Sequence, residues 1–203
     1  EKTSYEQIYY EHIWYFTVSF INNILKPMGL HVFDCEHIDV HGGELRMYVG
    51  NKNAFSKKPS VDKWLLKETD LDKKLELLHE NIKESKIKLM SILNEVKKSN
   101  KKICGFAATS KATTIFNYCG IGPDLIPFVT DTTPEKQGKY YPGVHIPVVS
   151  QGVFEEGKTN PLKLIDYAFL CAWNHSKEIN KYQAWFTEQG GHWITHVPEP
   201  RIF

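Results

Sequence analysis

The stretch Tyr9-Tyr10-Glu11-His12 places two phenols, a carboxylate and an imidazole side by side. Imidazole titrates near neutrality and suits general-base work. A phenol can donate to a developing oxyanion, and a nearby carboxylate favours charged imidazole. On a helix Tyr9 and His12 share a face; on an extended chain Tyr10 and His12 do. The same residues also fit an aromatic patch with a polar histidine at its rim. A second stretch, Gly105-Phe-Ala-Ala-Thr109-Ser110-Lys111, joins an expected strand to an expected helix. Small residues there let a ligand approach the backbone, helix-start amides bind phosphate, and Lys111 adds a point charge. The plain alternative is a tight strand-to-helix turn with Lys111 in solvent. With one glycine it is neither a Walker A loop nor a GxGxxG fingerprint.

Three further segments carry polar groups at turns. Asp131-Thr-Thr-Pro-Glu-Lys136-Gln137-Gly138 reads first as an Asx-type turn shaped by Pro134 and Gly138. Its functional alternative sets Lys136 or Gln137 near the ligand of Lys111. His41-Gly42-Gly43 is either a hairpin turn or an unusual backbone shape that brings His41 to a ligand hydroxyl. Asn174 lies between an expected strand and an expected helix, as that helix's cap or as a further polar ligand group.

Several chemistries are disfavoured. The nine histidines and four cysteines nowhere show CxxC or HExxH spacing, so no metal is expected. No GxSxG elbow supports a serine hydrolase. Lys plus Arg is 25 and Asp plus Glu is 24, a balance that gives no whole-chain attraction to nucleic acid or an anionic membrane. No apolar run reaches the roughly 18 residues of a membrane span. Cys35, Cys104, Cys119 and Cys171 form no close pair and read as free thiols, which suits a reduced, cytoplasmic protein. The chain starts without Met or a signal-peptide pattern, as a piece of a longer protein would.

The elements that must position these groups follow from periodicity. Thr17 or Ser19 caps a short helix ending before Gly29; Leu30–Asp39 and Glu44–Val49 are strands. Ser60 caps a helix around Trp64, and Leu71–Val96 repeats its apolar residues at helical spacing, with lysines on the solvated face. Beyond residue 101 strands and helices alternate: Lys102–Ala108, Thr109–Tyr118, Leu125–Thr130, His145–Val149, Ile165–Ala172, Ser176–Gln189 and His192–Val197. That alternation predicts an α/β fold with a Rossmann-like, mostly parallel sheet and helices on both faces. A small α+β N-terminal segment and a helical bridge precede it, dividing the chain by role into 1–50, 51–100 and 101–203.

Taken in order, YEQIYYEH, HGGELR, GFAATSKATTIFNYCGIGPDLI, DTTPEKQGKYYPGVHIPV, AWNH and VPEPR resemble the C-terminal region of bacterial S-adenosylmethionine-dependent C-methyltransferases of nucleotide-linked deoxysugars. The resemblance covers Tyr5 to Arg201 and rests on the shared order of individually weak motifs. It implies three parts in the intact enzyme: a small zinc-binding domain, a donor-binding domain and a C-terminal α/β domain. Only the last has a counterpart here, so the chain is expected to start just after the donor domain and to be inactive alone. The family's YxEH pattern implies Tyr9, Glu11 and His12 as catalytic groups, with His12 the base that removes a proton beside the ketone of a 4-keto sugar. Tyr9 would stabilise the sugar oxygens and Glu11 orient His12 or a hydroxyl. The helix-start argument, separately, assigns Thr109, Ser110 and Lys111 to the diphosphate. Expected partners are a nucleotide diphosphate sugar and a donor-binding domain or subunit. Without that domain, Tyr9, Tyr10, Trp14, Tyr15 and Phe16 would be exposed and favour self-association. The competing classes are a non-catalytic nucleotide-sugar binding module and a protein-interaction module.

Overall fold

A computed structural model describes residues 2–203. The chain forms two compact units. One is Ile13–Leu77; the other is Leu78–Phe203 with the N-terminal residues up to His12. These contact units do not coincide with the three segments read by role.

In the first unit, helix α1 (Val18–Leu25) starts where Thr17 Oγ1 accepts the Phe20 amide at 3.1 Å, the N-cap expected of a threonine. Gly29, at φ +69°, ends the following turn. Strands β1 (Leu30–Ile38) and β2 (Glu44–Asn51) pair antiparallel, with a bulge at Phe33 between Val32 and Asp34. Helix α2 (Pro59–Lys67) opens with proline in its first turn, so Ser60 lies inside the helix and caps nothing. Its hydroxyl donates instead to Asp34 Oδ1 at 2.6 Å. A small core of Val18, Val32, Cys35 and Val61 closes this unit.

In the second, a six-stranded sheet runs β5-β4-β3-β6-β7-β8. Its strands are β3 (Ile103–Phe106), β4 (Val129–Asp131), β5 (Val148–Ser150), β6 (Tyr167–Leu170), β7 (His192–Thr195) and β8 (Arg201–Ile202). All pairings are parallel except β7 with β8. Counted within the sheet, the order is 3-2-1-4-5-6, the doubly wound arrangement whose chain direction reverses between β3 and β6.

The pleat sorts the two cores. Ile103, Val129, Phe169 and Ile194 face helices α3 (Leu71–Lys98) and α4 (Ser110–Cys119), which contribute Leu89, Leu93, Val96, Ile115 and Phe116. Cys104, Phe106, Ala168, Leu170 and Trp193 face the other side. There α5 (Gly152–Glu155), α6 (Ser176–Tyr182) and α7 (Ala184–Glu188) supply Phe154, Ile179 and Phe186. The α/β fold with helices on both faces is therefore present. One expected helix is two: Gln183 takes φ −111° and ψ 29° between α6 and α7, while its buried side chain bonds Glu155 and Trp185. Among the described residues no helix is long and apolar enough to cross a membrane.

Candidate active site

The site is built where β3 gives way to α4. Ala107 adopts φ +64°, a left-handed conformation costing a non-glycine residue about 1–2 kcal/mol. Its amide is held by Thr130 O at 2.9 Å. Two residues on, Thr109 caps α4, its Oγ1 accepting the Ala112 amide at 3.4 Å while donating to Cys171 O at 3.1 Å. That hydroxyl thus bridges the carboxyl ends of β3 and β6, the position where the strand order reverses and such folds bind ligands.

Tyr141 closes the floor by donating to Thr109 O at 3.3 Å. Burial, with Cys171 beside it, pushes the Tyr141 phenol well above its usual range. Burial likewise pushes the Cys171 thiol up to about 12. Both stay protonated near neutrality and act as packing and hydrogen-bonding groups. All four cysteines are buried free thiols.

Lys136 forms one wall. Its Nζ donates to Ala108 O at 2.7 Å and to Asp131 Oδ2 at 3.2 Å, pinning the loop after β4 to the loop after β3. Asp131 Oδ1 accepts the Thr133 amide at 2.8 Å, so the expected Asx turn is formed. Burial alone would raise the Asp131 carboxyl. The Thr133 bonds and the Lys136 ammonium outweigh it and hold the group below its ordinary value.

The opposite wall is the N-terminal segment. A 3-10 turn at Tyr5–Gln7 packs on α4, with the Tyr5 ring 5.5 Å from Tyr118 and Thr114 Oγ1 donating to Ile8 O at 3.3 Å. The chain then turns tightly, the His12 amide donating to Tyr9 O at 2.9 Å. This turn, and not a helix, brings the Tyr9 and His12 rings together with centroids 4.1 Å apart. His12 Nδ1 lies 2.8 Å from Gln7 O. A carbonyl only accepts, so Nδ1 carries the proton and the imidazole lone pair resides on Nε2.

Between these walls lies a cleft of about 730 Å³, in the size range of small-molecule sites. Tyr9, Glu11, Thr109, Ser110 and Lys136 line it. His12 does not line it; its ring lies against that of Tyr9, which does. Lys111 is half-buried in the first turn of α4 but does not line the cleft. Neither does Asn174, which sits in a 3-10 turn at Trp173–His175. The cap reading of Asn174 is corrected: the residue flanking α6 is His175, and no side chain caps it. His41, at φ +50°, belongs to the β1–β2 hairpin turn in the other unit. Lining residues not singled out from the sequence include Asn117, Lys139, Tyr140 and Tyr141. The signal for three of them was the Lys-Tyr-Tyr run directly after Gly138. Among the described residues no group of three or more His, Cys, Asp or Glu is placed to hold a metal ion.

Residues 39–198 match the C-methyltransferase C-terminal domain family, which is most of the chain and includes the whole sheet up to β7. The chain belongs to that family. It is also 28% identical to the C-methyltransferase NovU of Streptomyces niveus over 207 residues, covering 100% of this chain and 48% of that protein. The chain therefore spans about half the length of the curated relative it matches. The family match begins at residue 39, so the Tyr9–His12 turn lies outside it. The alignment with the relative includes that turn.

Proposed function

We propose that this chain is the substrate-side part of an S-adenosylmethionine-dependent C-methyltransferase that acts beside the ketone of a nucleotide-linked 4-keto deoxysugar, with His12 as base. The observation that carries the reading is a cleft at the carboxyl ends of a 3-2-1-4-5-6 sheet, walled by the Tyr9–His12 turn, in a member of a C-methyltransferase family. Five rings or phenol edges, from Tyr9, Tyr10, Tyr118, Tyr140 and Tyr141, offer faces for a base or sugar. Lys139, Lys136 and the opening amide of α4 at Ser110 favour an anionic diphosphate.

The proton on the carbon beside a ketone is acidic because its removal leaves charge on the carbonyl oxygen as an enolate. His12 Nε2 takes that proton, and Nδ1–H, held by Gln7 O, keeps the ring oriented as the imidazolium forms. The Tyr9 hydroxyl donates to the enolate oxygen, the kind of electrostatic help that is often the largest catalytic contribution. Glu11 holds a sugar hydroxyl or steadies charged His12.

The cleft does not fit the methyl donor as well. Donor nucleosides on such sheets are gripped by a carboxylate at the end of the second strand. Here that residue is Asp131, which is nearly inaccessible and does not line the cleft. The donor is assigned to a separate domain or subunit. Ile13 and Trp14, with relative exposures of 74% and 73%, are apolar surface offered to it.

The test is proton exchange at the carbon beside the ketone. A thymidine diphosphate 4-keto-6-deoxy sugar is incubated with the chain in D2O and followed by NMR. Wild type should incorporate deuterium, and His12→Asn should slow incorporation by roughly 10²–10⁴-fold while sugar affinity survives. Equal exchange in both proteins removes His12 as base. Absence of sugar binding by calorimetry overturns the nucleotide-sugar reading, and tight donor binding by this chain alone overturns the division of labour.

A further inference from the structure

Three residues that play no part in the reading above meet at the carboxyl end of the sheet. Glu6 is fully buried, and its Oε1 accepts from Trp173 Nε1 at 2.6 Å. Its Oε2 lies 3.5 Å from Nε2 of His196, which is 1% exposed. Trp173 follows β6 by three residues, and His196 directly follows β7. Glu6 therefore ties the N-terminal 3-10 turn to the end of β6 by a hydrogen bond, and lies against the end of the adjacent strand β7 without one. His196 is itself fixed by stacking on Phe169, with ring centroids 5.7 Å apart.

A buried acid is a weak device for stability, because desolvation offsets most of what its partners return; an apolar residue of similar size seals the same space. What an apolar residue lacks is direction. A carboxyl group whose Oε1 is held by the Trp173 indole N–H, with Oε2 buried against the His196 ring, sets the position of its own backbone, and an apolar plug slides. The residue whose backbone is set next is Gln7, and the Gln7 carbonyl is the group that holds His12 Nδ1.

We infer that Glu6 is a positioning residue: held by Trp173 and packed against His196, it fixes the Gln7 carbonyl, which orients His12 against Tyr9 beside the cleft. This rests on the reading of His12 as base given above. Thr114, which holds Ile8 O, and the buried Tyr5 ring against Tyr118 attach the same turn to α4.

The experiment uses the full chain and three variants: Glu6→Leu, Trp173→Phe and Glu6→Gln, the last retaining an acceptor for the indole. Amide hydrogen exchange is compared in two segments, Ile8–His12 and β3. Glu6→Leu and Trp173→Phe should exchange at least tenfold faster in Ile8–His12 with β3 unchanged, and Glu6→Gln should restore most of the protection. Unchanged exchange in Ile8–His12 overturns the tether, and equal acceleration of both segments reduces it to general stability, which also overturns the inference. The second readout is the deuterium incorporation described above. Glu6→Leu should lower its rate at saturating sugar at least tenfold with KM within about twofold, and Glu6→Gln should rescue it; a rate equal to wild type overturns the positioning role. If wild type itself incorporates no deuterium, the base reading of His12 fails and takes the positioning role with it; the hydrogen-exchange difference then records a tether without a catalytic purpose.

Discussion

Among single residues, Asp131 and Lys136 show most directly how burial and charge are balanced. The Asp131 carboxyl is nearly inaccessible, with a side-chain exposure of 7%, whereas Lys136 keeps 46% of its side chain in solvent. The folded carboxyl titrates below its ordinary value of 3.8. Its contribution to stability is therefore fully present above pH 3.8 and is lost as pH falls through the lower folded value. Lys136→Met removes the ammonium and raises the folded carboxyl toward its unfolded value. The expected loss near neutrality is about 1–2 kcal/mol, kept modest because the lysine is solvated. The acid limb of the stability curve should also move to higher pH. Urea unfolding across a pH series measures both. An unmoved acid limb would assign Asp131 to the Thr133 bonds alone.

At the scale of elements, β3 depends on one glycine. A Cβ on Gly105 would lie 2.6 Å from Val129 Cγ2, and Val129 is wholly buried in the neighbouring strand. Gly105→Ala must push β4 away or force Val129 off its rotamer, at about 1–3 kcal/mol. Thermal unfolding should register that loss, and Val129→Ala in the same background should recover part of it through a favourable coupling energy. Plain additivity would place the strain elsewhere. The same strand end carries left-handed Ala107 and the Thr109 cap, so displacement of β4 is also felt at the cleft floor. Helix α3 makes a different point. Leu89, Leu93 and Val96 are buried on the sheet, whereas Leu71 and Leu75 keep exposures of 41% and 53%. Its apolar stripe is continuous in sequence, but only the part over the sheet has something to cover.

The whole molecule divides its burial unevenly. The sheet unit has two extensive cores, one on each face, and the unit Ile13–Leu77 has four buried apolar residues at its centre. Large aromatic side chains are left in solvent, with Tyr15 and Phe16 exposed by 59% and 54% beyond the residues assigned above to the donor domain. Apolar area of this kind drives association. The chain alone should show a mass by light scattering that rises with concentration over a tenfold range. Trp14→Ser with Phe16→Ser should lower that slope without altering the cleft. A constant monomer mass in the wild type would count against association through this surface.

Much of this was written in local pattern. Alternating strands and helices after residue 101, the Thr17 and Thr109 caps, the turn after Gly29 and the Asx turn at Asp131 depend on neighbours a few residues apart, where side-chain size and backbone hydrogen bonding act directly. Thr109, Ser110 and Lys136, read at the ends of expected strands, line the cleft together with Tyr9 and Glu11 of the N-terminal run. Tertiary structure decided the rest. It set the pairing order of the parallel strands, added β8 antiparallel at the edge, and broke a helix at Gln183, whose side chain bonds Glu155 and Trp185. It left Lys111 and Asn174 off the cleft wall. It also brought Glu6 to Trp173 and His196, residues 167 and 190 positions away, a meeting that no local propensity encodes. A buried carboxylate is tolerated only where distant groups converge on it, and that convergence is a property of the folded sheet.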